Sequence, residues 1–186
     1  MKQHYLTMTM VLSIALFFTS CDKDDPVIPN EEELITTLNL YLTPVDNGEM
    51  VTLSFQDLDG DGGNAPIVTS GTLIADVQYS GRMELLNESE SPVEDITEEI
   101  EEEDDEHQFF FQSTISDLSF TYEDEDDNGN PVGLSTTLST GMAGSGNITI
   151  TLVHEPAKNA AGVSGGDITN AEGEIDIEVT FPIIVE

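Results

Sequence analysis

The sequence is short of cysteine, tryptophan and basic residues. It contains one cysteine, no tryptophan, and four lysine and arginine residues against 38 aspartates and glutamates, which gives a formal net charge of −34. A single cysteine cannot form an intramolecular disulfide, and it excludes C-x-x-C motifs and multi-cysteine zinc sites. The negative charge repels nucleic acid and anionic lipid headgroups, so neither is an expected partner. Metal ions and basic surfaces are the partners that such a chain attracts.

The sequence motifs of common enzyme classes are also missing. There is no Walker motif, no dinucleotide fingerprint and no H-E-x-x-H. The stretch Gly162-Val163-Ser164-Gly165-Gly166 has the G-x-S-x-G spacing of hydrolases, but that motif requires a strand, a sharp turn and a helix, with a histidine later in the chain. No histidine follows Ser164, and a Gly-rich loop between strands explains the stretch better. We predict a protein that is not an enzyme.

The N-terminus has the features of a lipoprotein signal peptide. Lys2 and His4 precede an apolar run from Leu6 to Phe18, which is followed by Thr19, Ser20 and Cys21. This run is too short to span a bilayer comfortably and is typical of a signal peptide, which we assign to residues 1–20. We predict cleavage before Cys21 and lipidation of that cysteine, which would anchor the chain to a membrane. An ordinary secretory signal is the alternative.

The segment after Cys21 predicts a cellular location for the protein and an acidic tether. Cys21-Asp22-Lys23-Asp24-Asp25 resembles the signal that sends lipoproteins of Bacteroidota to the outer face of the outer membrane, with a periplasm-facing lipoprotein as the alternative. Prolines and acidic residues continue to position 33, so we predict a solvated acidic tether over residues 21–33. Residues 34–186 are enough for one domain with a sizeable core.

Alternation of apolar and polar residues predicts an all-β fold. The period of two is typical of half-buried antiparallel strands, and turn-rich segments separate the runs, which favours an antiparallel β-sandwich, Ig-like in broad architecture. The runs are Leu34–Leu42, Val51–Phe55, Met83–Leu85, Phe109–Phe111, Leu118–Tyr122, Leu134–Leu138, Ile148–Val153 and Ile175–Phe181.

One segment predicts a short acidic helix near residues 92–105. Ser91, Pro92 and Glu94 match an N-cap, a proline at the first helical position and a capping-box glutamate. Val93, Ile96 and Ile100 would then form a thin apolar stripe. Most residues from 94 to 106 are acidic, and the late ones oppose the helix dipole, so the helix either frays near its end or has a cation nearby.

Two loops resemble the first half of an EF-hand calcium loop, with oxygen ligands at alternate positions before a glycine. The second half is absent in both, because the twelfth positions are Val68 and Ser135 instead of glutamate. Asp, Asn and Gly are also what a tight strand connection requires, so turns without a cation are the alternative. The calcium candidates are Asp57, Asp59 and Asp61 in the first loop and Asp124, Asp126 and Asn128 in the second.

Two histidines are candidates for a transition-metal site, since imidazole with nearby carboxylates binds zinc, copper or nickel. Glu103 and His107 would share a helix face if the helix extends that far, and His154 could join them. The alternatives are ordinary. His107 would be a favourable cation at a helix C-terminus, and His154 would end a strand on the same side as Ile150.

The region after the signal peptide resembles, nearly end to end, a group of small Bacteroidota surface lipoproteins with the label "type 1 periplasmic binding fold superfamily protein". The similarity rests on Phe55–Gly63, Asn128–Leu134 and His154–Phe181. A two-lobed α/β receptor needs about twice this length, so the fold prediction follows the strands. The group implies no active site. Similar lipoproteins work beside TonB-dependent transporters, which implies ligand or metal capture and an outer-membrane transporter as partner.

Two functions therefore remain open. The first is a lipid-anchored binding module that captures a metal ion or small ligand and passes it to a transporter. The second is a structural or adhesive surface module whose acidic loops are stabilised by calcium or are simply turns.

Overall fold

The computed structural model describes residues 33–60 and 63–186. The predicted signal peptide, the lipidation site Cys21, the predicted tether up to residue 32 and the calcium candidate Asp61 lie outside the described residues. The described residues belong to one compact unit, Glu32–Glu186. In this part of the chain, no helix is long and apolar enough to cross a membrane.

The predicted all-β class is confirmed. In the described residues, eleven strands accompany one α-helix, α1 (Ile96–Glu102), and two short 3-10 turns, Val163–Gly165 and Ile168–Asn170. The strands are β1 (Thr37–Pro44), β2 (Val51–Gln56), β3 (Ile67–Thr69), β4 (Thr72–Leu73), β5 (Gln78–Asn87), β6 (Glu94–Asp95), β7 (His107–Ser113), β8 (Ser119–Tyr122), β9 (Ser135–Ser139), β10 (Gly144–His154) and β11 (Glu174–Val185).

The strands form two sheets. In the larger sheet, β3, β2, β1, β5, β9 and β8 lie side by side in that order, and β6 also pairs with β5. In the smaller sheet, the order is β4, β11, β10 and β7. Among the described strands every pairing is antiparallel except that of β4 with β11, which is parallel. The antiparallel prediction therefore holds apart from this one edge.

The core lies between the two sheets because each contributes one apolar face. Leu38, Leu40 and Leu42 of β1 are buried in the same cluster as Ile148 and Ile150 of β10. The residues between them alternate to the other face, as the period of two predicts. This packing confirms a β-sandwich.

The helix prediction was wrong about where the helix begins. Glu94 and Asp95 pair with the end of β5 as strand β6, and the Glu94 carboxylate accepts a hydrogen bond from the Asn87 side chain instead of closing a capping box with Ser91. Asp95 is the N-cap, because its Oδ1 accepts the Thr97 N–H at 3.0 Å. The helix runs from 96 to 102 instead of 92 to 105, and Val93 is exposed.

The alternation predicted for the last strand fails at its first apolar residue. Leu152 pairs with Ile177 and Val153 pairs with Ile175, so Asp176 is an extra residue in a β-bulge. A bulge shifts the following side chains to the opposite face. Ile175 is 58% exposed for this reason, whereas Val179 and Phe181 are buried as predicted.

Candidate metal centre

The sandwich brings the two predicted histidines together. His107 begins β7 and His154 ends β10, and the two residues are direct partners across the antiparallel pair. Their rings are stacked, with centroids 4.7 Å apart and planes 11° from parallel. His107 is fully buried and His154 is 3% exposed. Both rings therefore lie at the end of the core, on the same face of the small sheet as Leu152.

A third side chain completes the cluster. The Glu33 side chain is only 8% exposed, and its Oε1 lies 3.5 Å from His107 Nε2. Ligand atoms of Glu33, His107 and His154 all lie within 4.8 Å of one another. We call these three residues the inner triad. Sequence analysis assigned Glu33 to the tether and did not find it, because nothing local connects it with residue 107.

The third residue proposed from the sequence, Glu103, takes part through its main chain. Its carbonyl oxygen lies 3.1 Å from His107 Nδ1, and its side chain is not part of the inner triad. The reason is that α1 ends at Glu102, so residues 103 and 107 do not share a helix face. The main-chain contact still orients the His107 ring, which is the usual role of a carbonyl beside a metal-binding histidine.

The His107 contacts define its tautomer. A carbonyl oxygen only accepts hydrogen bonds, so Nδ1 must carry the hydrogen, and Nε2 of the neutral ring then has a lone pair. This lone pair is close to the Glu33 carboxylate, which also only accepts. His107 Nε2 and Glu33 Oε2 are buried without a hydrogen-bond partner. An acceptor nitrogen beside a buried carboxylate requires a donated hydrogen or a cation between them.

A second cluster shares His154. Ligand atoms of Glu106, His154 and Glu155 also lie within 4.8 Å of one another, and His154 Nε2 is 3.5 Å from Glu106 Oε2. We call this set the outer triad, because Glu106 and Glu155 are exposed. The Glu155 N–H donates to the Glu106 carbonyl at 2.6 Å, which holds the two acidic residues side by side.

The first predicted calcium loop is held by its own turn. Asp57 Oδ1 accepts the Gly60 N–H, and Asp59 Oδ2 accepts both the main-chain and side-chain N–H groups of Asn64. These hydrogen bonds lower the pKa of the Asp59 carboxyl. A Cβ at Gly63 would lie 2.3 Å from Asp59 Cγ, so the glycine is needed for this close approach. The pattern found from the sequence therefore has a structural explanation in the turn.

The carboxylates of the second predicted calcium loop also have partners. Asp124 accepts the Gly133 and Ser135 N–H groups, each at 2.8 Å. Asp126 Oδ1 accepts the N–H groups of Asn128 and Asn130. Asn128 thus contributes its main chain to the turn.

Asp126 also forms a buried ion pair that sequence analysis missed. Its Oδ2 lies 3.1 Å from Lys158 Nζ, and the two side chains are 1% and 4% exposed. Lys158 Nζ donates as well to the main-chain carbonyl of Asp104, which links this loop to the acidic segment after α1. Lysine is almost never buried unless it is paired. The scarcity of basic residues was the one signal in the sequence that could have identified Lys158 as structural.

The Ser164 hydroxyl is engaged in a hydrogen bond within a turn. It lies in the 3-10 turn Val163–Gly165 between two glycines with positive φ. Its Oγ donates to the Lys158 carbonyl at 2.7 Å. The surrounding segment covers Phe110 and Val153 on the outer face of the small sheet, where Val163 is fully buried.

No protein-family model matches the chain, and neither a curated protein nor a solved structure does. The resemblance to the small Bacteroidota lipoproteins therefore stays a prediction. The class that fold and site define is a β-sandwich with a buried histidine pair and carboxylates at one end.

Proposed function

We propose that this protein is a lipid-anchored, non-enzymatic binding module of the cell envelope that captures a divalent transition-metal ion at the inner triad. The supporting observation is His107 Nε2, which is buried without a hydrogen-bond partner and lies 3.5 Å from Glu33 Oε1, while Oε2 of the same carboxylate is also buried without a partner. The lipid anchor on Cys21 and the outer-membrane location come from the sequence. The family resemblance suggests a TonB-dependent transporter as the recipient of the ion.

A metal ion suits the inner triad better than a proton does. A proton on His107 Nε2 would make an imidazolium but would leave Glu33 Oε2 buried without a donor. A divalent cation interacts with both carboxylate oxygens and with the Nε2 lone pair at once, and His154 supplies a third ligand. Because the bound ion would give the buried His107 and Glu33 acceptors a partner, it would stabilise the folded protein.

The donor set favours zinc-like ions over calcium. Two imidazoles and one carboxylate suit zinc, copper or nickel, whereas calcium and magnesium prefer oxygen ligands throughout. Ligands about 2.1 Å from a tetrahedral zinc ion lie roughly 3.4 Å apart, close to the 3.5 Å between His107 Nε2 and Glu33 Oε1. The His154 ring, now stacked on His107, would have to tilt to direct a nitrogen at the same ion, and a fourth position would remain open.

Zinc titration of the full chain, purified in detergent and treated with a chelator, tests this proposal. We expect Glu33→Gln and His107→Gln to weaken zinc binding more than about tenfold, since even outer-shell partners are worth that much. Glu98→Gln is the matched control, because it removes one exposed acidic charge from the same region. Equal affinity in all variants, or displacement of zinc by calcium, would refute the assignment.

A second candidate is a structural or adhesive module. The observation that favours it is the hydrogen bonding of Asp124 and Asp126 to main-chain N–H groups, which shapes the loop without an ion. In that case calcium and magnesium at equal ionic strength would stabilise the fold equally. A larger stabilisation by calcium that is lost in Asp59→Asn would instead assign calcium to the first loop.

A further inference from the structure

We propose that the outer triad, Glu106, His154 and Glu155, is a loading site that passes the ion to and from the inner triad through His154. This inference rests on the proposed function and adds the route by which the ion moves. It concerns exchange rates, whereas the inner triad accounts for affinity.

Because the inner triad is buried, an ion from solvent needs a path to reach it. His107 is fully buried and the Glu33 side chain is 8% exposed, so a hydrated ion cannot meet either of them first. Glu106 is half exposed, and Glu155 is exposed as well. An ion arriving from solvent therefore meets the outer carboxylates before it meets the inner ones.

His154 connects the two sets of ligands. It is the residue common to both triads, and it lies between Glu106 on its exposed side and the His107 ring against which it stacks. The ion can exchange Glu106 and Glu155 for Glu33 and His107 while His154 remains a ligand. Stepwise exchange avoids a fully dehydrated ion, which is costly in a buried site.

The charge around the outer triad suits cation capture. Acidic residues continue from α1 through position 106, and the last turn of α1 has no basic residue, although the helix dipole would favour one there. Lys158, the nearby cation, is held by Asp126 and the Asp104 carbonyl. Lys158 therefore does not pair with Glu106, and the negative field of such an acidic segment raises the local concentration of cations.

The test measures the rates of zinc binding and release in the full chain by stopped flow with a fluorescent zinc indicator. A loading site lowers the barrier equally in both directions, so it changes rates and not affinity. We expect the double variant Glu106→Gln/Glu155→Gln to slow association by about tenfold, the lower end of the effect that charged clefts have on association rates. Dissociation should slow by the same factor, because the ion leaves through the same ligands. Its dissociation constant should stay within about threefold of the wild-type value.

The matched control is Asp46→Asn/Glu49→Gln, which removes the same charge from exposed positions in the loop after β1, outside both triads and away from the acidic segment of α1. It should change each rate less than about twofold. Unchanged rates in the Glu106/Glu155 variant, or an affinity loss as large as in Glu33→Gln, would overturn the loading role and leave the inner triad intact. Absence of zinc binding by the wild type would overturn both proposals.

Discussion

At the scale of single residues, we expect the largest loss of stability when the buried ion pair of Lys158 and Asp126 is broken. Lys158→Met would leave the Asp126 carboxylate buried with its charge unpaired, and breaking such a pair costs about 3–5 kcal/mol. Arg82→Met is the control, since Arg82 is exposed with its guanidinium 4.7 Å above the Tyr41 ring. Urea unfolding should show a loss under about 1 kcal/mol for the control. Equal losses of unfolding free energy in the two variants would show that the Lys158–Asp126 pair contributes no more stability than an exposed cation does.

The same pair predicts acid sensitivity. Burial raises the pKa of Asp126, but hydrogen bonds from the Asn130 N–H, the Lys158 ammonium and the Asn128 N–H outweigh it, so the pKa lies below its ordinary value. The stability that this group contributes is present above its unfolded pKa of about 3.9, and it is lost as the pH falls through the lower folded value.

Asp126→Asn tests this expectation. The difference in unfolding free energy between wild type and variant should be constant above about pH 5 and should shrink below about pH 4. The measurement is urea unfolding at a series of pH values. A difference that does not change down to pH 2 would show that another group controls the acid response.

At the scale of elements, α1 is fixed to the larger sheet by a few contacts. Ile100 is fully buried, and Thr97 Oγ1 accepts the Leu85 N–H at 3.0 Å. Ile100→Ala should cost about 2–5 kcal/mol by leaving a cavity, whereas Val93→Ala, at a residue 52% exposed, should cost less than about 0.5 kcal/mol. Thermal unfolding of both variants checks this. Similar losses would indicate that α1 does not pack as described.

The acidic face of α1 should be a source of instability at neutral pH. Burial raises the pKa of Glu99, and the charges of Glu94, Glu33, Glu103 and Glu102 add to that effect. A carboxyl with a raised folded pKa destabilises the protein above that pKa, and the penalty disappears once the group is protonated in both states.

Glu99→Gln should therefore stabilise the protein at pH 7 by about 0.5 kcal/mol, the scale of like-charge pairs on a helix. The gain should vanish near pH 3, about one unit below the unfolded pKa of about 4.3. Glu49→Gln, an exposed position in the loop after β1, should have no such effect. A stabilisation that persists at about pH 3, measured by thermal unfolding, would show that charge is not its cause.

The elements show what sequence alone could and could not predict. Long strands such as β1 and β10 were found because alternation repeats several times and defines a face. Strands β3, β4 and β6 have two or three residues each, too few for a period. The bulge at Asp176 and the start of α1 depend on pairing with other strands, which no local pattern contains.

The candidate metal centre, too, could be predicted only in part from the sequence. The residue types identified His107 and His154, but their contact required the pairing of β7 with β10. Glu33 looked like one more acidic residue of the tether, and only its packing against His107 distinguishes it. The calcium loops matched a spacing that tight turns also produce, and their hydrogen bonds account for that spacing in the described residues.

At the scale of the whole molecule, self-repulsion should limit stability. With a net charge of −34, the folded state should gain from screening. Raising sodium chloride from about 0.01 M to about 0.1 M shortens the Debye length from about 30 Å to about 10 Å. The unfolding midpoint should rise over this range, and choline chloride should give the same rise if screening is the cause. A flat midpoint would show that the charges are already compensated.

The most direct test of the central claim is a crystal of the full chain grown with zinc and measured at the zinc absorption edge. The anomalous map should show a peak about 2.1 Å from His107 Nε2, in contact with Glu33 and with a His154 ring tilted out of its stack. A peak confined to surface carboxylates, with the two rings still stacked and no anomalous signal between Glu33 and His107, would contradict the assignment of a metal centre.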